Sequence, residues 1–519
     1  MERLHAEVIQ CIIQELDDCK DQARFRLTCR GINALVEPIL YEAIEVSMQG
    51  RELAPRSSLL LDTLSGQHAG SRPKRLCRLV RHVKIQSLNP SSKLRHRHSV
   101  KTEERVSRRR SLSWRKEKGE NGKERTLEEY LSLLGAFKRT KFVTWHIWSK
   151  STEYQTYHEY LFKILGSLPS LHHFTLAVLG STTLALPSNL HLKGLHSLCI
   201  QSPTPSSPAA TNKYVLYPLL SVINNSPCLK ELHLDFRENH HKETIPPKLE
   251  DFLEKVSLSS WTRLRALRKS QLQIESLSLQ GWDLDFDLKS KNTKALAHLR
   301  HLTGLKIMDP FAAHSNLWEV LGREQVRLKR ISVNSVSRPM LEYLESYSGV
   351  QCLEVSPSVI RDLDGGDAKP CDDVDHPHLA PRFYQAVKKH EESLTVLSIR
   401  GCSKGTWCFG IDNAQHMKNC GRLRELSVYV DSKPGAKEDG VGTLMKMTSQ
   451  LSSLRVLRLN IAQGNNYFGC ALCGAHLDEQ PLEVVVSQIQ DSIRSAQLYT
   501  KPSSRPVIYV EDKCMNWRW

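Results

Sequence analysis

One short pattern returns along most of this 519-residue chain and limits what the chain can become. An apolar residue is followed by two variable positions, a second apolar residue, one variable position and a third apolar residue. Copies fall at Val80/Val83/Ile85, Phe142/Trp145/Ile147, Leu171/Phe174/Leu176, Leu195/Leu198/Ile200, Leu229/Leu232/Leu234 and Ile274/Leu277/Leu279. They continue at Leu302/Leu305/Ile307, Leu328/Ile331/Val333, Val350/Leu353/Val355, Leu394/Leu397/Ile399, Leu423/Leu426/Val428 and Leu454/Leu457/Leu459. Most lie roughly 22–34 residues apart. The alternation that ends each copy is what a short strand needs, because successive side chains leave a strand on opposite faces. Two apolar residues point inward and the residue between them points outward. Helical patterns fill the intervals, at Glu153–Leu168, Tyr214–Asn225, Arg338–Tyr347 and Pro381–Glu391. One strand–helix unit cannot bury its apolar face alone, so the units must stack. The expected architecture is an α/β solenoid over residues 76–515, a curved parallel sheet with outer helices. Pro481–Leu498 and Val507–Val510 read as a closing helix and strand that cover the exposed end of the stack.

The net charge of +16 is mainly local. Lys93 to Arg125 carries thirteen Lys/Arg against five Glu, about half of the total. Residues 89–125 are too poor in apolar side chains to repay the entropy of ordering, and are expected to be a disordered basic insertion. Gln201–Asn212, rich in Pro, Ser and Thr, and the acidic Asp362–His378 read as further loops. No apolar run approaches the roughly 18–20 residues of a membrane span. Tyr214–Ile223 is short and interrupted by Pro218, and the chain alternates charged and apolar residues from Glu2 onward. The fourteen cysteines are scattered, many inside apolar runs, as expected of buried free thiols in a reducing compartment. An intracellular location follows, cytoplasmic and/or nuclear.

The spacing and leucine content of the pattern resemble leucine-rich repeats of irregular length. The opening 4–41 has a different character. Leu4, Val8, Ile12 and Leu16 form one helical stripe, Asp17, Asp18 and Asp21 break it, Ala23, Leu27, Ile32, Leu35 and Val36 resume it, and Pro38 marks a turn out of the helices. Leu4-His5-Ala6-Glu7-Val8 and the stretch from Phe25-Arg26-Leu27-Thr28-Cys29-Arg30 through Gly31-Ile32-Asn33-Ala34-Leu35-Val36 resemble the two halves of an F-box. The tail Pro38-Ile39-Leu40-Tyr41 is similar to the ending common in fungal F-box proteins with irregular leucine-rich repeats. His5 stands where the family's proline helps to seat the loop on a Skp-type adaptor. The resemblance implies a three-helix adaptor-binding module at 1–45. It also implies an adaptor surface formed or supported by Leu4, Glu7, Val8, Ile12 and Leu16 with Leu27, Cys29 and Arg30.

The function expected from this combination is that of a non-catalytic substrate receptor of a cullin-based ubiquitin ligase. It would bind the Skp-type adaptor, and through it a cullin, with the N-terminal module, and a protein substrate with the repeats. Neither a cofactor, a membrane nor nucleic acid is expected as a partner. The outward strand positions His173, Thr175, His233, Ser278, Lys306, Ser332, Glu354, Ser398, Ser427 and Arg458 would decide specificity, with Lys306, Glu354 and Arg458 singled out as substrate contacts. Arg108-Arg109-Arg110-Ser111 resembles a basophilic-kinase target, which makes Ser111 a possible phosphorylation site. Cys470-x-x-Cys473-x-x-His476 has the spacing of zinc ligands, but no second close pair follows it. The alternatives are a repeat scaffold with no ubiquitin role, or a nucleic-acid-associated protein using residues 93–125.

Overall fold

The computed structural model describes residues 30–49, 77–88, 127–148, 155–179, 190–203, 215–237, 246–261, 272–287, 293–308, 315–356, 378–400, 406–431, 440–462, 482–497, 506–511 and 513–514. A few single positions near the N-terminus and residue 186 are described as well. The chain forms two compact units: residues 1–245 with 258–272, and residues 246–257 with 273–519.

Among the described residues, the first whole element of the first unit is helix α1 (Arg30–Leu40). Ile32 and Val36 are buried, with Leu35, Ile39 and Leu40 packed against them. Pro38 lies inside this helix rather than after it. Proline is costly where it removes a mid-helix hydrogen bond; here it sits in the last turn, and the Tyr41 N–H still reaches the Glu37 carbonyl at 3.1 Å. Strands β1 (Ala43–Gln49) and β2 (Glu52–Leu53) follow, then β3 (His82–Leu88), helix α2 (Leu127–Leu134), β4 (Phe142–Trp148) and α3 (Gln155–Gly166). The unit continues with β5 (His173–Leu179), β6 (Ser197–Pro203), α4 (Tyr217–Asn224) and β7 (Glu231–Arg237). Its strands run β2-β1-β3-β4-β5-β6-β7, parallel throughout except for the terminal β1–β2 pair.

The second unit takes in the Leu249–Ser257 part of α5 (Leu249–Trp261). It then alternates β8 (Ser276–Gln280), α6 (Thr293–Ala297), β9 (Gly304–Ile307), α7 (Leu317–Arg323), β10 (Arg330–Val333), α8 (Arg338–Glu345) and β11 (Cys352–Val355). It closes with α9 (Leu379–Lys388), β12 (Val396–Ile399), α10 (Ile411–Met417), β13 (Glu425–Asp431), α11 (Gly440–Thr448), β14 (Val456–Ala462), α12 (Leu482–Gln497), β15 (Val507–Val510) and β16 (Lys513–Cys514). Its strands follow chain order from β8 to β16, and only β16 is antiparallel to its neighbour. Short antiparallel strands at these two places occupy edges that would otherwise offer unpaired N–H and C=O groups.

The expected α/β repeat of parallel strands and helices is thus present in each unit and resembles a leucine-rich-repeat solenoid. Register follows from one device. The carbonyl just before most strands accepts two N–H groups of the next repeat: Lys141 O from His172 and His173 at 3.0 and 2.9 Å, and Lys329 O from Gln351 and Cys352 at 2.8 and 3.0 Å. Helix boundaries fall within a few residues of the sequence reading. Helix α9 starts at Leu379 rather than Pro381, because a proline in the first turn gives up an N–H that has no intrahelical partner anyway. The closing helix and strand stand at Leu482–Gln497 and Val507–Val510.

Besides Pro38, the structure differs from the sequence reading at four points. The sheet begins at Ala43 rather than near residue 76, because Tyr41/Ile44/Val46 is a further copy with an aromatic residue in its first position. Strand β6 runs through Gln201 to Pro203, so the loop starts later than Gln201. Eleven of the twelve copies bury their three apolar residues, whereas the Phe142/Trp145/Ile147 copy is displaced by two residues. Phe142 is 40% exposed, Val143 pairs in register with Phe174, and the true frame is Thr140/Val143/Trp145. Thr140 thus fills a leucine position, and its hydroxyl is buried with no hydrogen-bond partner. An orphaned buried hydroxyl costs about 1–3 kcal/mol. Thr140→Val is therefore expected to leave stability unchanged or raise it by about 1 kcal/mol in a denaturant titration; a clear loss would mean that the hydroxyl is bonded. The fourth difference, at Ser398, belongs to the site.

Candidate functional site

In each unit the inward strand residues pack under the helices and the residues between them form the open face of the sheet. In the second unit the register aligns one outward row across eight strands: Ser278, Lys306, Ser332, Glu354, Ser398, Ser427, Arg458 and Tyr509. Lys306, Glu354 and Arg458 therefore share a line, as positions on one face of a parallel sheet must. Lys306 and Arg458 are exposed and Glu354 is half-buried. The row is cross-linked. Ser332 Oγ donates to Glu354 Oε2 at 3.2 Å, and Cys352 Sγ approaches Glu354 Oε1 at 4.0 Å. Asn460 Nδ2 donates to Ser427 Oγ at 3.3 Å, and the Arg458 guanidinium stands 4.6 Å from the centre of the Tyr509 ring. The arginine–tyrosine contact holds a cation in place at little entropic cost.

Ser398 departs from expectation. It keeps its register position but is buried, with Arg400 Nε donating to its hydroxyl at 3.3 Å. The longer neighbour covers it, so Arg400 and not Ser398 is presented at that point of the row. Neighbour size was the signal, since a serine two residues before an arginine on one strand face is easily overlaid.

In the first unit the matching row is Glu45, Lys84, Thr144, Thr175, Cys199 and His233. Lys84 pairs with Glu45 at 3.4 Å. The row next to it places His82, Phe142 and His173 side by side. Phe142 stacks on His173 with centroids 4.4 Å apart and 17° between planes, and His82 stands 6.0 Å away on the other strand. Sequence reasoning found His173 but missed Phe142, because the displaced frame had assigned it to the core.

Burial pushes the Cys199 and Cys352 thiols up to about 11, with Asp235 and Glu354 respectively adding to the shift, so both stay protonated at neutral pH and are poor nucleophiles. Burial lowers the pKa of His82, with Lys84 adding to the effect, and burial leads the lowering at His173, so both rings are neutral at pH 7. Among the described residues no cluster of three His, Cys, Asp or Glu is arranged to hold a metal, and no helix is long and apolar enough to cross a membrane. Cys470, Cys473, His476, Ser111, residues 93–125 and 362–377 lie outside the described residues. So do Leu4, His5, Glu7, Val8, Leu16, Leu27 and Cys29. Ile12 is helical and 39% exposed, and Arg30 opens α1.

No family model and no curated protein matches the chain. Among solved structures, one described as the crystal structure of a TLR13–ssRNA13 complex aligns over 81% of this chain and 60% of that one, with 14% identity and a TM-score of 0.28. The chain thus spans 60% of that neighbour's length, and a likeness this distant carries no argument about partners.

Reversing the exposed Lys306 should change stability by about 0.5 kcal/mol or less, whereas reversing Glu354 and Arg458 also removes the Ser332 hydrogen bond and the Tyr509 contact, at about 1 kcal/mol each. If the row contacts substrate, a triple reversal lowers substrate capture while the chain stays folded. Unchanged capture would move recognition to other surfaces.

Proposed function

We propose that this chain is the substrate receptor of a cullin-based ubiquitin ligase, with an F-box-like N-terminus that docks a Skp-type adaptor and repeats that hold a protein substrate. The observation that carries the reading is the join between the two parts. The F-box-like stretch ends in α1, which passes into β1 after Tyr41 and Glu42. The Glu42 N–H is tied to the Ile39 carbonyl at 3.3 Å, and the Glu42 carbonyl accepts the N–H groups of Arg81 and His82 at 2.8 and 2.9 Å. The Arg30–Leu40 end of the F-box-like stretch is therefore tied to the end of the repeat sheet. Ile12, on the stripe that the resemblance assigns to the adaptor, is 39% exposed.

In this reading the chain supplies proximity: a substrate held on the sheet has its lysines near a charged ubiquitin-conjugating enzyme, which raises their effective concentration. Bond-making belongs to partner subunits. Affinity purification of the full chain followed by mass spectrometry, repeated without residues 1–29, tests it. Adaptor and cullin peptides present in the first and lost from the second are the expected result. Their absence from both would leave a repeat scaffold with no ubiquitin role.

A further inference from the structure

The loops that enter β3–β7 carry charge of one sign. Residues 77–81, 137–141, 168–172, 190–196 and 226–230 hold seven Lys/Arg and three His, and no Asp or Glu. The corresponding loops of the second unit, 299–303, 324–329, 347–351, 389–395, 419–424 and 450–455, also hold seven Lys/Arg but add three Glu. One of these, Glu324, lies 3.3 Å from Arg300. The excess of cations is thus larger in the first unit, seven with no carboxylate against seven with three.

The sheet orders this charge. Arg81, Lys141, His172, His196 and Lys230 each stand just before a strand, and each lies beside the next through the paired carbonyl contacts that set the register. At a strand spacing of about 4.8 Å the five positions span roughly 19 Å. Lys141 and Lys230 are exposed and the other three are half-exposed. His172 and His196 meet edge to face at 4.6 Å, so two flat polar rings fill the middle of the line. Glu42 precedes Arg81 at one end, and Glu231 follows Lys230 at the other.

We propose that this strand-entry edge of the first unit docks a short acidic segment of a protein, about six residues in extended form given roughly 3.3 Å per residue. The proposal rests on the reading of the repeats as a protein-binding surface and names the chemistry of the partner. Length and sign both come from the edge: three cations spread along the line, with Glu42 before the first and Glu231 after the last, match a short anionic stretch better than a long one. Single-stranded nucleic acid fits less well. It needs free aromatic faces for its bases, whereas Phe142, the exposed ring beside the edge, stacks against His173 and has His82 on its other side.

The test uses the full chain and a fluorescein-labelled peptide of six glutamates flanked by glycines, read by anisotropy at two salt concentrations. Arg81→Glu/Lys141→Glu/Lys230→Glu is expected to weaken binding about tenfold or more, as several attractive pairs become repulsive. Arg327→Glu/Lys329→Glu/Arg424→Glu, on the equivalent edge of the second unit, should stay within about twofold of the parent. The Gln versions of the first triple keep the test open should the Glu triple fail to fold, and are expected to lie between it and the parent. Binding that no first-unit variant weakens, or that both triples weaken equally, overturns the proposal. So does tighter binding of a six-nucleotide oligothymidine that the first triple abolishes, which would give the edge to nucleic acid. Adaptor co-purification is read separately: its failure with peptide binding intact would remove the ubiquitin role and leave the edge standing.

Discussion

Trp145→Ala is expected to be among the most damaging single substitutions in the first unit, costing roughly 3–5 kcal/mol. The indole is fully buried on β4 and anchors an aromatic cluster. His158 and Phe162 of α3 approach it at 5.2 and 5.0 Å, and Phe162 in turn meets Phe174 of β5 at 6.1 Å. Truncation leaves a cavity that strand and helix cannot both collapse into, because each is fixed by its neighbours in the stack. The indole N–H, however, has no hydrogen-bond partner. Trp145→Phe should therefore cost much less than its lost volume suggests, since it also removes an orphaned donor. Chemical denaturation of the two variants measures this, and a cost for Trp145→Phe equal to that for alanine would contradict it.

Acid should weaken both units over a defined interval. Burial lowers His158 and His390 from an ordinary 6.5 to about 4. Each fold holds a neutral ring that the unfolded chain would protonate first. The stability from each histidine is therefore whole above about pH 6.5 and is lost as pH falls toward 4, by about 3 kcal/mol each. At His390 burial outweighs a backbone hydrogen bond at Leu344 that favours the charged ring, and Lys389 adds to the lowering. Its Nδ1 also accepts the Val350 N–H at 3.4 Å, a contact that protonation at Nδ1 would break. Stability measured from pH 7.5 to 4 should fall, and His158→Leu or His390→Leu should flatten the profile of its own unit even if each lowers stability at pH 7.5. A profile unchanged by either substitution would contradict the account.

The repeat frame was legible wherever leucine, isoleucine or valine filled the inward positions, because burial selects those residues at a fixed spacing. It slipped at Phe142, where an aromatic residue on the open face sits two positions after a threonine in the core. Apolar character alone cannot tell those two places apart. It also stopped short of β1, since Tyr41 opens that copy. The alignment of Lys306, Glu354 and Arg458 could be read from the pattern, because parallel register carries equivalent positions into line. The burial of Ser398 could not, as it depends on how far Arg400 reaches. Equally hidden were the polar ties of the helical layer. Tyr343 donates to the Val326 carbonyl at 2.7 Å and accepts the Leu328 N–H at 3.2 Å, and Tyr347 donates to the Leu328 carbonyl at 3.0 Å. These join α8 and the turn after it to the loop that enters β10, and nothing in local spacing announces them.

The proposed function requires that the N-terminal segment dock an adaptor and that the repeats keep their fold when that contact is lost. The direct measurement is size-exclusion chromatography with light scattering on the purified full chain mixed with a purified Skp-type adaptor, for the parent and for Leu4→Ser/Ile12→Ser. Burying a leucine or isoleucine is worth roughly 1.5–3 kcal/mol, so losing two should weaken docking by about two orders of magnitude or more. The account expects an equimolar complex for the parent, none for the variant, and the same thermal transition for the repeats of both. A parent chain that elutes alone, or a variant that binds the adaptor as well as the parent does, would contradict it.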